Sequence, residues 1–362
     1  LAIFKLSYVF VSWTKYVPGI SEYSNDLSLF IEAGEIAIDA SERIARGEIN
    51  QAMADLEKIN EKISTIKVTK YSQEYQIKYA LLLDIFKMIK TIPYFTGIDS
   101  PRRFMIIFQN DKELRPTGGF MTAYSVIEIK NGRFSPISTE DIYNLDARYS
   151  SVIPAPETLV KYLKGPYLIS PNLRLRDMNW SPDFEDSMSN LRIALNEIGI
   201  TNIDGVIAVD THFLVNILDV LGPVGVPGFG TYSTEINEEC KCPQVIHELE
   251  SFADVEGPVV WDPVSGQIVY QPKNADNRKK IIGPLINSIL ASAIAVPREK
   301  YPLLIFAFFK SLREKHILFY LTDVEHQKLF SSLGLSGKIK DYDGDYLHIN
   351  DANLGGRKSN LY

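Results

Sequence analysis

The sequence predicts an α/β (α+β) protein: a mixed sheet flanked by helices, preceded by an N-terminal helical hairpin or stalk. Three observations predict it. Residues 26–64 carry helical periodicity with no polar cluster interrupting the seam. Short apolar runs at 104–108, 120–129, 206–209 and 317–321 read as buried strands. After residue 200, strands alternate with helices, which is the pattern of a layered sheet-and-helix domain.

Within 26–64, Phe30, Ala33, Ala37, Ala40 and Ile44 recur at spacings of three and four. After Arg46-Gly47-Glu48 the pattern restarts with Ile49, Ala52, Leu56, Ile59 and Ile63, so a helical hairpin is expected, broken at the glycine. A third helix is expected over 72–92, ended by Pro93. Residues 94–101 then read as a linker. The expected division is a helical region at 1–92 and an α/β domain at 93–362, with an insertion near 228–275.

The α/β part opens with the strand Phe104–Phe108, a polar knot, and a second strand Phe120–Ile129. Asn131-Gly132 is a strong hairpin signal, and Arg133–Ile137 returns as a third strand. Residues 138–183 show little periodicity and read as a long irregular connection. A helix is expected over 184–198, capped by Asp183. The strand Val206–Val209 leads into a helix Phe213–Leu221, capped by Asp210 and Thr211 and stopped at Gly222. Val224–Val226 reads as a short strand. Helices are expected at 281–295 and 297–315, a strand at Ile317–Leu321, a helix from Asp323 to Leu333, and a closing strand Tyr346–Ile349.

Composition narrows the function. The chain has 362 residues, 45% of them hydrophobic and 23% charged, enough for a sizeable core and for two or three units. A net charge of -7 argues against a general nucleic-acid binder, so no nucleic-acid partner is expected. Cys240 and Cys242 are one residue apart, a spacing poor for an ordinary disulfide, and with His247 they fall short of a four-ligand zinc frame. The five histidines, His212, His247, His316, His326 and His348, are scattered without metal-ligand spacing. Leu1–Val17 is apolar but broken by Lys5 and Lys15, and the chain starts mid-run. This stretch reads either as an amphipathic first helix or as the continuation of a membrane anchor that the sequence does not include.

Three clusters hold candidate chemistry. The knot between the first two strands carries Gln109, Asn110, Asp111, Glu113, Arg115, Thr117, Gly118 and Gly119. Asp111 and Glu113 suit a divalent cation, and Arg115 suits a bidentate grip on phosphate. Gly118 and Gly119 would let backbone approach a ligand closely. The alternative is a polar turn with an internal ion pair. The second cluster is Arg174, Arg176, Asp177, Asn179 and Asp183, which reads either as a site or as an ion pair and a helix cap. The third is the basic run Arg278-Lys279-Lys280 at a helix start, a solvated face or an anion contact.

Taken together, QNDKELRPTGGF at 109–120, DMNWSPDF at 177–184, DGVIAVD at 204–210, GPVGVPG at 222–228, Lys315-His316-Ile317-Leu318 and DANLGGRKSNLY at 351–362 resemble the bacterial Domain of Unknown Function 4012 family (DUF4012). The resemblance runs from about Ile92 to the last residue. More distantly, the layout resembles the LytR-CpsA-Psr family. That family implies a membrane-anchored, extracytoplasmic enzyme that moves a glycopolymer phosphate from a polyprenyl pyrophosphate carrier to the cell wall with a divalent cation. Asp111, Glu113 and Arg115 occupy the place of that family's acidic loop and arginine. Asp204–Val224 resembles its strand, helix and turn, and Arg278-Lys279-Lys280 its late basic run. Where that family has Arg-Ser-Asp-Thr, this chain has Arg115-Pro116-Thr117-Gly118, so one metal-binding aspartate has no counterpart.

The resemblance implies a cell-envelope protein that binds a (pyro)phosphorylated lipid-linked glycan and transfers its phosphate. Arg115 and Asp177 would be catalytic, and Arg115, Arg176, Arg278 and Lys279 would hold phosphate. Asp111 and Glu113 would hold Mg2+, with Gln109, Asn110, Gly118, Gly119 and Asn179 completing the site. A non-catalytic extracytoplasmic module that binds glycan or protein is the alternative. The first reading expects Arg115, Arg176 and Arg278 to converge on one pocket.

Overall fold

The computed structural model describes residues 48–66, 91–162, 171–254, 260–262, 268–270, 281–297 and 300–353, with single positions at 29, 32, 33, 35, 36, 39, 40, 43, 73, 76, 87 and 88. The chain divides into two compact units, one of residues 1–100 with 293–306 and one of residues 101–292 with 307–362.

In the first unit, helix α1 (Ile49–Ser64) comes after helical positions between Leu29 and Arg43. Ala52, Leu56, Ile59 and Ile63 of α1 are buried, as are Ala33 and Ala40 of the earlier run. Arg43 Nε meets Asp55 at 2.9 Å and Lys62 Nζ meets Glu32 at 2.6 Å, which sets the two runs antiparallel. The expected stop at Pro93 is a helix start instead. Helix α2 (Ile92–Thr96) carries Pro93 in its first turn and ends at Gly97, whose φ is 61°. A proline there gives up only an N–H that no helical carbonyl would accept.

The second unit is built on one five-stranded mixed sheet. Its strands are β1 (Arg102–Asn110), β2 (Phe120–Lys130), β3 (Arg133–Asp141), β4 (Gly205–Asp210) and β9 (Ile317–Leu321), in the order β3-β2-β1-β4-β9. β1 runs parallel to β4, and the other neighbours are antiparallel. Asn131 (φ 50°) and Gly132 (φ 72°) make the tight β2–β3 turn. The connection expected to be irregular contains the short helices α3 (Ile142–Asp146) and α4 (Glu157–Tyr162) and a 3-10 turn at Leu175–Asp177. Helix α5 (Phe184–Glu197) comes next, with the Asp183 carboxylate accepting from the backbone N–H of Glu185 (2.9 Å) and Asp186 (3.3 Å). Met105, Ile107, Met121 and Tyr124 of the sheet share one buried core with Leu175, Met178, Phe184, Met188, Leu191 and Leu195.

Helix α6 (Thr211–Leu221) starts directly at the end of β4, capped by Asp210, and stops at Gly222. A second core gathers Leu218, the β5 (Val224–Val226) and β6 (Gly230–Tyr232) hairpin, and Val245 and Ile246 of helix α7 (Gln244–Asp254). Ile281 and Leu285 join this core at the start of helix α8 (Ile282–Ala295). The strands β7 (Val260–Trp261) and β8 (Ile268–Tyr270) pair with each other. Helix α9 (Tyr301–Arg313) precedes β9, and helix α10 (Val324–Ser332), capped by Asp323, comes after it.

Two expectations are corrected. Tyr346–Ile349 is not a strand: Leu347 is 84% exposed and Ile349 72%, and no sheet edge takes the segment up. Asp341, Asp343 and Asp345 lead into it, and carboxylates at that density favour solvent over pairing. Cys240 and Cys242 are disulfide-bonded despite their spacing. Lys241 takes a left-handed φ of 54°, which folds the chain so that the two Cα atoms stand 5.1 Å apart, inside the range a disulfide spans.

Candidate functional site

The ends of β1 and β4 and the starts of β2 and β9 lie along one edge of the sheet. The turn 111–119 rises from this edge and is shaped by its own backbone. Glu113 N donates to Asn110 O (3.1 Å), Gly118 N to Arg115 O (2.8 Å) and Phe120 N to Glu113 O (2.8 Å). A Cβ at Gly119 would stand 2.3 Å from Asn110 O, so this glycine admits the chain's own backbone rather than a ligand. Gln109 is buried and donates to Thr117 Oγ1 at 3.0 Å.

Arg115 is folded into this turn and is only 8% exposed. Its guanidinium lies over two rings, 5.2 Å from the centre of Phe120 and 5.3 Å from that of Trp180. Nη1 donates to the carbonyl of Asn353, and Nη2 lies 3.4 Å from Glu113 Oε1. Asn353 N in turn donates to Leu114 O at 2.9 Å, which ties the end of the described chain to the turn. Asn179, fully buried, donates to Thr117 Oγ1 (3.0 Å) and to Gly119 O (2.8 Å). Among the described residues, Arg115 Nε, Trp180 Nε1 and Asn179 Oδ1 are buried without a hydrogen-bond partner. The Arg115 turn and the adjoining Asn179–Trp180 pair thus hold two unused donors and one unused acceptor.

Arg176 lies close by but is differently employed. Its guanidinium covers Tyr143 at 5.4 Å, and Tyr143 packs on Phe120 with ring centres 6.3 Å apart. Arg176 Nη1 pairs with Asp146, and Nε stands 3.6 Å from Asp177 Oδ2. Burial opposes the charge on Arg176, but Asp146 and Asp177 outweigh it and hold the group above its ordinary value. Burial pushes the Asp146 carboxyl up against the pull of Arg176. Arg115 and Arg176 therefore share one region through Phe120 and Tyr143, with Arg176 already neutralised inside it. Arg278, Lys279 and Lys280 lie outside the described residues. Asp183, the other acidic member of the second cluster, is the cap of α5.

Asp111 belongs to a different group. Its carboxylate accepts from the Thr211 hydroxyl and pairs with His212 Nδ1. Burial pushes Asp111 up, but the hydrogen bonds from His212 and Thr211 outweigh it and hold the carboxyl below its usual range. The bond to Asp111 raises His212. His212 stacks on His316, with ring centres 4.8 Å apart and planes 13° from parallel. His316 Nδ1 is 2.7 Å from Asp210 Oδ2. Among the described residues, Asp210, His212 and His316 bring three ligand atoms within 4.8 Å of one another.

This arrangement bears on the expected Mg2+. Asp111 is engaged by Thr211 and His212 while Glu113 stands 3.4 Å from Arg115, so the two expected Mg2+ ligands face different partners. The metal-capable group is the Asp/His/His cluster, which the reading of scattered histidines missed. Its signal was present in the order of elements: Asp210 ends one strand, His212 begins the next helix, and His316 begins the strand that pairs with β4.

Residues 99–240 match the family described as Protein of unknown function (DUF4012). The stretch includes the turn 111–119, Asn179, Trp180, Asp210 and His212. Among solved structures, protein gbs0355 from Streptococcus agalactiae is 13% identical over 68% of this chain and 75% of its own, with a TM-score of 0.35. TagV of B. subtilis is 13% identical over 70% and 93%, with a TM-score of 0.31. The Lin1025 protein from Listeria innocua is 8% identical over 64% and 77%, with a TM-score of 0.28. No curated protein matches the chain. Among the described residues, no helix is long and apolar enough to cross a membrane.

Proposed function

We propose that the protein is an extracytoplasmic cell-envelope protein that binds a phosphorylated, lipid-linked glycan at the Arg115 turn. The observation that carries this reading is the trio of buried, unused polar atoms on Arg115, Trp180 and Asn179. Each such atom costs about 1–3 kcal/mol when left unpaired, and native proteins pair nearly all of them. All three atoms are sealed from solvent as the turn stands, so a saccharide phosphate would pair with them once the turn opens: its phosphate oxygens would accept from Arg115 Nε and Trp180 Nε1, and a sugar hydroxyl would donate to Asn179 Oδ1. The membrane anchor and the polyprenyl carrier belong to the same reading.

Transfer of the glycopolymer phosphate would add Asp177 as the group that positions the acceptor hydroxyl. One observation favours binding without transfer. Asp177 is paired with Arg176, and Arg176 is held by the buried Asp146. The binding reading is tested by titrating the protein with a polyprenyl pyrophosphate-linked glycan while following thermal stability. The midpoint is expected to rise for the parent and not for Arg115→Ala. Absence of any rise in the parent would overturn the reading. Release of the free carrier during the same incubation would establish transfer.

A further inference from the structure

We propose that His212, His316 and Asp210 form a binding site for a first-row transition-metal ion of the Zn2+ class, with Asp111 as the carboxylate that orients His212. The proposal does not rest on the glycan reading, since it concerns a separate group of side chains.

The three residues sit on backbone that the sheet fixes. Asp210 is the last residue of β4, and its carboxylate caps α6 by accepting from Phe213 N at 3.0 Å. His212 therefore lies in the first turn of a helix whose start is pinned. Lys315, with a left-handed φ of 67°, turns the chain out of α9, and Asp210 N donates to His316 O at 3.1 Å. The two imidazoles then stack at 4.8 Å.

Each ring spends the same nitrogen on a carboxylate, His212 Nδ1 on Asp111 and His316 Nδ1 on Asp210. For His212 that is the arrangement in which a histidine ligand is held for a metal: the carboxylate fixes the tautomer and ring orientation and leaves Nε2 as a lone-pair donor, while His316 Nδ1 and Asp210 Oδ2, 2.7 Å apart, would bind the ion in place of the proton they share. The ligand atoms lie within 4.8 Å of one another, around a space where metal–ligand bonds would be about 2 Å. Two imidazoles with a carboxylate suit Zn2+, Co2+, Mn2+ or Fe2+, whereas Mg2+ and Ca2+ select all-oxygen sets.

The experiment uses the full chain, chelator-treated and with its disulfide intact. Zn2+ is titrated by calorimetry and Co2+ by its visible absorption. One equivalent of each is expected, with no displacement by excess Mg2+. His212→Ala with His316→Ala should abolish binding, and Asp111→Asn should weaken it about 10–100-fold. Absence of stoichiometric binding to the parent overturns the proposal. So does binding that survives the double substitution, including binding through Cys240, Cys242 and His247. Should the double variant fail to fold, the parent alone decides: Zn2+ must protect His212 and His316 from diethyl pyrocarbonate, and leave His326 and His348 reactive. Equal modification of His212 with and without Zn2+ overturns the site.

Discussion

Arg115 and Trp180 form a stacked pair, with the guanidinium carbon 5.3 Å from the ring centre and each residue carrying one buried nitrogen without a partner. Phe120 also contacts the Arg115 guanidinium, at 5.2 Å. The arginine is thus held by rings and by the Asn353 carbonyl, while its Nε remains to be used. Replacing it with alanine removes both ring contacts and the ion pair to Glu113. Arg115→Ala is expected to cost about 2 kcal/mol in urea unfolding. Arg115→Lys should recover less than half of that, because an ammonium has no planar face to stack.

The turn that carries Arg115 is set by Gly119. A Cβ there would lie 2.3 Å from Asn110 O, while one at Gly132 would meet nothing within 4 Å. Gly119→Ala should therefore cost about 3 kcal/mol through overpacking. Gly132→Ala, strained only by its left-handed φ, should cost about 1 kcal/mol. Thermal or urea unfolding of the two variants should rank them in that order.

Asp183 holds three backbone N–H groups, those of Glu185, Asp186 and, at 3.0 Å, Ile339. It joins the start of α5 to the loop after α10. Asp183→Ala is expected to lower stability by about 1–2 kcal/mol, with Asp183→Asn recovering most of it. Chemical denaturation at neutral pH measures both.

Glu185 gives the fold an acid-sensitive joint. Burial pushes its carboxyl up, but hydrogen bonds from Ser331 and Gln327, with Lys338 nearby, outweigh that and hold it below its ordinary value. A carboxyl lowered in the folded state contributes stability that is present above its unfolded value. That contribution is lost as pH falls through the folded value. Unfolding measured from neutral pH into the acid range should show this loss in the parent. Glu185→Gln should flatten the curve in the same window, and an unchanged curve would contradict the joint.

The sheet and its caps were legible because they obey local rules. Asn131-Gly132 marked its hairpin, and Asp183, Asp210 and Asp323 each preceded a helix that they cap. The DUF4012 match at 99–240 likewise falls within the stretch marked by the motifs. What the sequence hid depends on the pairing of distant segments. His212 and His316 meet only because β4 and β9 run antiparallel at the same edge, a relation that no spacing along the chain expresses. Arg176 and Asp146 are 30 residues apart, so of the two readings of this arginine, phosphate contact or ion pair, the Asp146 partner could not be read from its neighbours. Tyr346–Ile349 failed as a strand for the opposite reason, since its apolar alternation is real but finds no edge to join.

Binding of a phosphorylated glycan at Arg115 is the central claim. Its most direct measurement is calorimetric titration of the full chain with a polyprenyl pyrophosphate-linked glycan, the same carrier without sugar, and the same sugar without phosphate. The complete ligand is expected to bind best and the phosphate-free sugar at least tenfold more weakly. Arg115→Ala is expected to reduce the complete ligand to the level of the phosphate-free sugar. Equal affinity of the parent and Arg115→Ala for the complete ligand would contradict the claim.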